Sequence, residues 1–519
     1  MSVLGTFYCF VTGKLSKRYR VPIFYKIAHF IMERYSSIPG RLLFVFLILC
    51  SSAAVAQTTI FRISPEQKRF DGITKGVKPG DTIFIEAGSR EELVLENITG
   101  TAKTPVIVIN HGGKVIINTK KDYGILFNNS VHFKITGTGS SDTYGFEIAS
   151  TANHGLVVTE FSSFCEADHL EIHHVGYAGI VAKTDPNCTR KDLRYFIMQN
   201  LSFHDNFIHD ITAEGFYVGY SWYPARDYKC GQDSLLYSHE IHGVRIYNNN
   251  MRNTGQEGIQ VGTGTKDVMI YSNTVFNYGV TNVQWQNHGV QIGQGTTGDF
   301  FNNGIRNGPA EAISLFGGGN NRLYNNVIVN SGAAAIYQND RGAVAGRTYQ
   351  VTNNTIINPA EYGVSLVSDH TTGNKVAGNT IVIRNTANAI VSTGKMKWNN
   401  TGNKIFSSIE ASGLDTTKLE QYTFKKIGIK FPFIKDNTFE LVAEPVITRG
   451  NYSFTVNVKE PLLKLYNGAG ILQDSNKITA KGKKYEVDLT GFANGIYYVS
   501  IWSNGKATQV QRVILQKDN

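Results

Sequence analysis

The chain has 519 residues, 52 of them glycine, with only 18% charged residues and a formal net charge of +10. That length exceeds one small domain, and the composition is that of a β-rich, turn-rich protein. The charge excludes little by itself: Met1 to Ala56 holds seven Lys or Arg against one Glu, a net +6, so the remainder carries +4 with no basic patch of the kind nucleic-acid binding uses.

In chain order, residues 1–56 read as a leader. RLLFVFLILC followed by SSAAVAQ supplies a basic residue, a short apolar core and a small-x-small site before Gln57, a secretory signal whose apolar run is too short to span a bilayer. Met32 opens MERYSSIPGRLLF, a signal peptide of ordinary length, so residues 1–31 read as lying upstream of the true start. Cleavage leaves Cys165, Cys188 and Cys230. An exported chain permits disulfides, and a bridge between Cys188 and Cys230 with Cys165 left over stands open beside three free thiols. No Cys or His spacing suggests zinc, and no metal site is expected.

Residues 57–80 carry polar strands and are expected to cap the open end of the repeats downstream. From 81 to 406 the chain repeats itself. SFHDNFI, RIYNNNM, MIYSNTV, FFNNGI, RLYNNVI, QVTNNTI, VAGNTI and TGNKI align on Asn206, Asn249, Asn273, Asn303, Asn326, Asn354, Asn379 and Asn403. Most spacings lie between 23 and 30 residues; the outlier of 43 carries an insertion. Such a period marks a solenoid, whose repeats bury their apolar faces only by stacking. Each phrase alternates β-branched and aromatic residues, a second strand such as GFYVG, GIQVG or GVQIG comes after it, and long helical periodicity is absent. A coil of two or three short strands with tight turns is a parallel β-helix, and the aligned asparagines suit its bends, tolerating the left-handed region and stacking as a ladder. Two insertions, 182–196 and 221–240, leave just after the second strand of neighbouring coils, so both should project from one side.

These repeats, with the opening phrase PGDTIFIEAG, resemble the right-handed parallel β-helices of the pectate-lyase-like superfamily. The right hand is what the resemblance implies. After a connector (407–443), six short strands from 444 to 519 fit a small β-sandwich. There LKLYNGAGILQ and YEVDLTGFANGIYYVSIWSNGKATQVQRVILQ resemble the C-terminal sorting domain of the type IX secretion system of Bacteroidetes, with EPVITRGNYSF in place of the usual Pro-Asn-Pro opening. The resemblance implies that the protein crosses the outer membrane and is attached to the surface or released, with the type IX machinery as a partner.

Aligning the second strands places Ala178, Glu214, Glu257, His288, Glu311 and Tyr362 in one column, each before a small residue. Neighbouring strands lie about 4.8 Å apart, so adjacent members can share a substrate or shift each other's pKa. This column faces outward only if the Glu-Gly step sits on the bend. Beside it run Tyr217, Gln260, Gln291 and Ser314, with Tyr220, Trp222, Tyr223 and Trp285 as a rim. Amides, a phenol and flat rings suit a sugar chain.

Two chemistries fit. In glycoside hydrolysis two of the three glutamates act as acid and base or as acid and nucleophile, with His288 orienting one or carrying a proton. In a polysaccharide lyase, carboxylates hold Ca2+ and a Lys or Arg takes the proton, with Lys183, Arg226 and Arg341 as candidates. Arg341 is also a candidate substrate contact, or an ion-pair partner of Asp340. The expected protein is a secreted or surface-attached monomer acting on an extracellular polysaccharide; the alternative is a non-catalytic glycan-binding, adhesin-like protein.

Overall fold

The computed structural model describes residues 59–415 and, beyond them, the strands between Glu440 and Leu515 with some of the turns that join them. The leader, Met32 and most of the connector lie outside the described residues. From Ile60 to Phe406 the chain winds in coils of parallel strands, and a full coil contributes three. Glu240–Tyr247, Asn250–Thr254 and Ile259–Val261 make one coil, and Lys266–Tyr271, Thr274–Phe276 and Val290–Ile292 make the next. They stack in register, Ile246 on Ile270, Met251 on Val275 and Ile259 on Val290. Those six side chains point inward and are 0–2% exposed, members of one continuous apolar core. The third strands form their own twelve-stranded parallel sheet, from Arg69–Asp71 to Ile390–Thr393.

The repeated phrase straddles the bend between the first and second strands. At that bend the eight asparagines form an unbroken ladder, buried from Asn206 to Asn379 and half-exposed at Asn403. Asn273 Nδ2 donates to Asn303 Oδ1 at 3.0 Å and to the carbonyl of Ile246 at 2.8 Å, while the backbone N–H of Asn273 reaches the same Oδ1 at 3.1 Å. The pattern continues from Asn206 to Asn403, so the amides satisfy one another away from water. The left-handed residue is the one before the ladder position: Asn248, Ser272, Asn302, Asn325 and Asn353 have φ of 55–57°, and Gly378 and Gly402 take that place in the last coils. The expectation that the ladder asparagines themselves adopt that conformation is therefore displaced by one residue, because their role is to point inward.

The described part of the expected cap, residues 59–80, is not separate from the coils. Ile60–Ile63 pairs in parallel with Thr82–Arg90, and Arg69–Asp71 with Leu93–Glu96, so this segment supplies the first coil. Ile63 and Phe70 already belong to the core. At the other end, a short helix Ile409–Ser412 brings Ile409 and Leu414 onto an outer apolar row of Val329, Ile357, Val382 and Phe406.

Of the C-terminal segment, Leu462–Asn467, Gly495–Ser503 and Lys506–Leu515 pair antiparallel in one sheet, and Asn451–Thr455, Lys484–Asp488 and Ile478–Lys481 in another. Leu465, Val499 and Val513 of the first sheet share a buried cluster with Val487 of the second. Among the described residues no helix is long and apolar enough to cross a membrane.

Candidate functional site

The column read from the second strands is real in space. Gly179 N–H donates to Glu214 O at 2.9 Å, Gly215 to Glu257 O at 2.9 Å, Gly258 to His288 O at 3.3 Å and Gly289 to Glu311 O at 3.1 Å. Glu214, Glu257, His288 and Glu311 therefore stand on four successive coils. The column runs on through Ala334 before Tyr362, so Tyr362 lies one coil further away than the alignment placed it. The bend falls on the glycine: a Cβ on Gly258 would lie 2.4 Å from Cγ1 of the core residue Val275, and one on Gly289 2.6 Å from Cγ2 of Ile305. Glycine and the next residue both face the core, which turns the preceding Glu or His to the outer side.

Outside the core, the first two carboxyls are nevertheless shut in. Glu214 is 2% exposed and Glu257 0%, and neither oxygen of Glu257 has a hydrogen-bond partner. Burial, with the Glu214 carboxyl next to it, pushes Glu257 up to about 8 from its ordinary value of 4.5. Burial also raises Glu214, whose carboxyl faces the Tyr177 hydroxyl and feels the charge of Lys183. One coil on, the balance reverses. Nδ1 of His288 lies 3.1 Å from Oε2 of Glu311 and 3.1 Å from Oγ of Ser314. Burial is the largest influence on Glu311 and opposes its charge, but the hydrogen bond to His288, a backbone hydrogen bond and the His288 charge together outweigh it, and the carboxyl stays below its usual range. Ser314 and Glu311 meet the same ring nitrogen, so these three are not a nucleophile relay; the carboxylate and the hydroxyl both fix the imidazole through Nδ1.

The second column is a chain of neutral hydrogen bonds. Tyr217, Gln260, Gln291, Ser314 and Tyr337 are register partners on successive third strands. Tyr217 Oη meets Ser221 Oγ at 2.9 Å, Gln260 Nε2 donates to Ser221 Oγ at 3.0 Å, and Gln291 Nε2 donates to Gln260 Oε1 at 3.0 Å. Ser221, at the root of the second insertion, closes this chain and was not singled out from the sequence, nor was Tyr177.

The two insertions are one wall. Cys188 and Cys230 are disulfide-bonded with Cα atoms 5.3 Å apart, Cys165 is buried in the core, and Tyr237 exchanges backbone hydrogen bonds with Lys191 and Leu193. The second insertion is an antiparallel hairpin, Ala225–Cys230 with Gln232–Tyr237. A third insertion, residues 277–287, comes just ahead of His288; the spacing of 30 between Asn273 and Asn303 was its signal in the sequence.

Of the four aromatic residues expected at the rim, two are exposed and two are turned inward. Trp222 and Trp285 are 51% and 74% exposed, whereas Tyr220 is 5% exposed with its hydroxyl unpartnered, and Tyr223 is turned to Glu240, its hydroxyl donating at 2.8 Å. The cations are also engaged. Lys183 Nζ lies 3.0 Å from Asp185 and 4.1 Å over the Tyr217 ring, and Arg226 lies over Tyr220 and Tyr228 at 5.2 and 5.0 Å. Arg341 stacks on Phe316 at 4.4 Å and does not pair with Asp340. Asp340 instead accepts the N–H groups of Asp369, His370 and Thr371 and the Thr371 hydroxyl, fixing the turn of the next coil.

A separate charged cluster lies on the outer face of the first-strand stack. Glu166, Asp168 and His204 converge closely enough to hold a metal ion, but the Lys134 ammonium sits among them, 2.6 Å from Glu166 and 2.8 Å from Asp168. His204 then leads an aromatic stack of Tyr247, Tyr271, Phe301 and Tyr324, with ring centroids 4.6–5.0 Å apart. Those rings cover one another's faces.

Compared with known proteins, residues 234–424 match the family described as a right handed beta helix region. The fold is accordingly a right-handed parallel β-helix. No curated protein matches the sequence. Among solved structures, a GH136 lacto-N-biosidase from Eubacterium ramulus is 14% identical with a TM-score of 0.47, over 70% of this chain and 70% of that one. An alginate lyase from Paenibacillus sp. str. FPU-7 is 15% identical with a TM-score of 0.37, over 66% of this chain and 99% of that one. The A-module of the mannuronan C-5 epimerase AlgE4 from Azotobacter vinelandii is 16% identical with a TM-score of 0.34, over 64% and 90%. Likeness at this level says nothing about the chemistry of the site.

Proposed function

We propose that the chain is an exported protein that cleaves an extracellular polysaccharide bound across the outer face of the third-strand stack. The observation that carries this reading is Glu257: a fully buried carboxyl with two unpartnered oxygens, pushed up to about 8 and one coil from a carboxylate-held imidazole. Such a group is protonated near neutral pH and is suited to give its proton to a glycosidic oxygen as the C–O bond breaks. Glu311 and His288 supply the opposite function. In hydrolysis His288 takes a proton from the water that adds to the anomeric carbon; in elimination it takes the carbon-bound proton of a uronate. Glu257 and His288 stand one coil apart, about 5 Å between backbones, with Glu311 one coil further on behind the imidazole. Tyr217, Gln260 and Gln291 hold hydroxyls, and Trp222 and Trp285 offer stacking faces. A lyase would bring Ca2+ as a further requirement.

A second reading, a glycan-binding or adhesin-like protein without turnover, draws on the burial of Glu214 and Glu257, which a substrate reaches only if the groups above them move aside. Incubation with a panel of plant and algal polysaccharides separates the readings. New reducing ends mean hydrolysis, absorbance near 235 nm means elimination, and retained binding with neither product supports the second reading.

Export and surface association are proposed from the signal-like leader and from the sorting-domain likeness of residues 444–519. Deleting 444–519 in the native cells tests the second part. Retention of the truncated protein inside the outer membrane is expected, and unchanged release contradicts it.

A further inference from the structure

Resting on the site assignment above, we infer that the sugar bound over Glu257 is a neutral, hydroxyl-bearing residue, so that the reaction there is hydrolysis and not β-elimination of a uronate. The floor beside Glu257 is the amide and hydroxyl chain Tyr217–Ser221–Gln260–Gln291. Each member can both donate and accept, which is the complement of sugar hydroxyls, and none carries a charge to meet a carboxylate.

Three carboxyls, Glu214, Glu257 and Glu311, line one edge of that floor. A uronate seated on Gln260 and Gln291 would bring a fourth acidic group within about one or two strand spacings, roughly 5–10 Å, of all three. Within the column the imidazole of His288 is already held by Glu311, and the lysine and arginines near the insertions are engaged elsewhere. Lys183 is paired with Asp185 and pressed on the Tyr217 ring. Arg226 is held over the hairpin tyrosines. Arg341 stacks on Phe316, two residues past Ser314 and therefore about 7 Å further along the strand direction. Elimination needs the uronate carboxylate neutralised so that the neighbouring carbon can lose its proton, and the floor offers that carboxylate neutral donors only, with no cation. Hydrolysis needs only what the column holds: Glu257 delivers a proton to the leaving oxygen, which keeps the electron pair of the broken C–O bond, and water adds to the anomeric carbon while losing a proton to His288.

The test is binding of the full chain carrying Glu257→Gln, compared by affinity electrophoresis in gels containing neutral polymers (glucan, mannan, xylan, galactan) or polyuronates (polygalacturonate, alginate). Glu311→Gln, at a partly exposed position, repeats the comparison in case the first variant does not fold. Retardation by at least one neutral polymer, tenfold or more stronger than by either polyuronate, is expected. Equal or tighter binding of a polyuronate, or binding of none of the neutral polymers, overturns the inference. Wild-type turnover is scored separately: binding of a neutral polymer without new reducing ends removes the enzymatic reading and leaves the substrate class standing.

Discussion

Glu257 stands one coil along from Glu214, and the two carboxyls lie side by side away from water, neither oxygen of Glu257 meeting a hydrogen-bond partner. An arrangement of that kind costs folding stability whenever the second carboxyl ionises, and its persistence in the fold is the reason to place chemistry there.

The pH dependence of stability has a definite sign. Glu257 holds its proton in the folded chain up to about 8, against an ordinary value of 4.5. A carboxyl raised by folding contributes most below 4.5, and that contribution is lost as pH rises through about 8. Glu257→Gln keeps the shape without the charge and should flatten the decline. Thermal midpoints of both proteins at about pH 5 and about pH 8 measure it; equal slopes would remove the burial argument.

His288 is expected to matter more to rate than to stability. Its Nδ1 is held by Glu311 at 3.1 Å, which leaves Nε2 to exchange a proton with substrate or water. His288→Gln should lower kcat by about 10²–10⁴-fold with KM little changed, and Glu311→Gln by less, since it only orients the ring. Steady-state kinetics on a cleaved polysaccharide give both numbers, and a larger loss from Glu311→Gln would reverse the roles.

The asparagine ladder should be strongest in its middle. Asn303→Ala removes the acceptor for two donors of Asn273 and the Nδ2 donor to Asn326 Oδ1 and to the Ile270 carbonyl, all buried, while the backbone N–H at 303 still reaches Asn326. Each buried polar group so stranded costs about 1–3 kcal/mol. Asn403 is the half-exposed end of the ladder, so Asn403→Ala should cost clearly less. Denaturant midpoints of the two variants settle the order.

The disulfide should act on the wall and leave the coils alone. Cys188 and Cys230 close a separation of 42 residues, for which the chain-entropy account gives up to about 4 kcal/mol. After reduction, backbone amides of Ala225–Tyr237 should exchange faster while those of Ile259–Val261 keep their protection. Loss of protection in both would mean that the wall and the coil unfold together.

The solenoid was legible because the ladder demands asparagine once per coil, and the inward residues on either side of it must be apolar. The column of Glu214, Glu257, His288 and Glu311 was legible for the same reason: a small residue recurs where two successive positions turn inward. What the sequence hid is whatever depends on side chains from other coils. The depth of Glu257, the turning of Tyr223 to Glu240 and the stacking of Arg341 on Phe316 are set by residues 17 to more than 20 positions away. Asn-Asn pairs such as Asn248-Asn249 did not reveal which member points inward, and the polar strands near Ile60 concealed a first coil whose Ile63 and Phe70 enter the core.

The turnover of Glu257→Gln, on whichever polysaccharide the wild-type chain cleaves, bears most directly on the site. Removal of the proton donor should lower kcat at least about 10²-fold at neutral pH while binding of the same polymer is retained. Turnover equal to that of the wild type would show that the buried pair serves the fold alone and that the chemistry, if any, is done elsewhere.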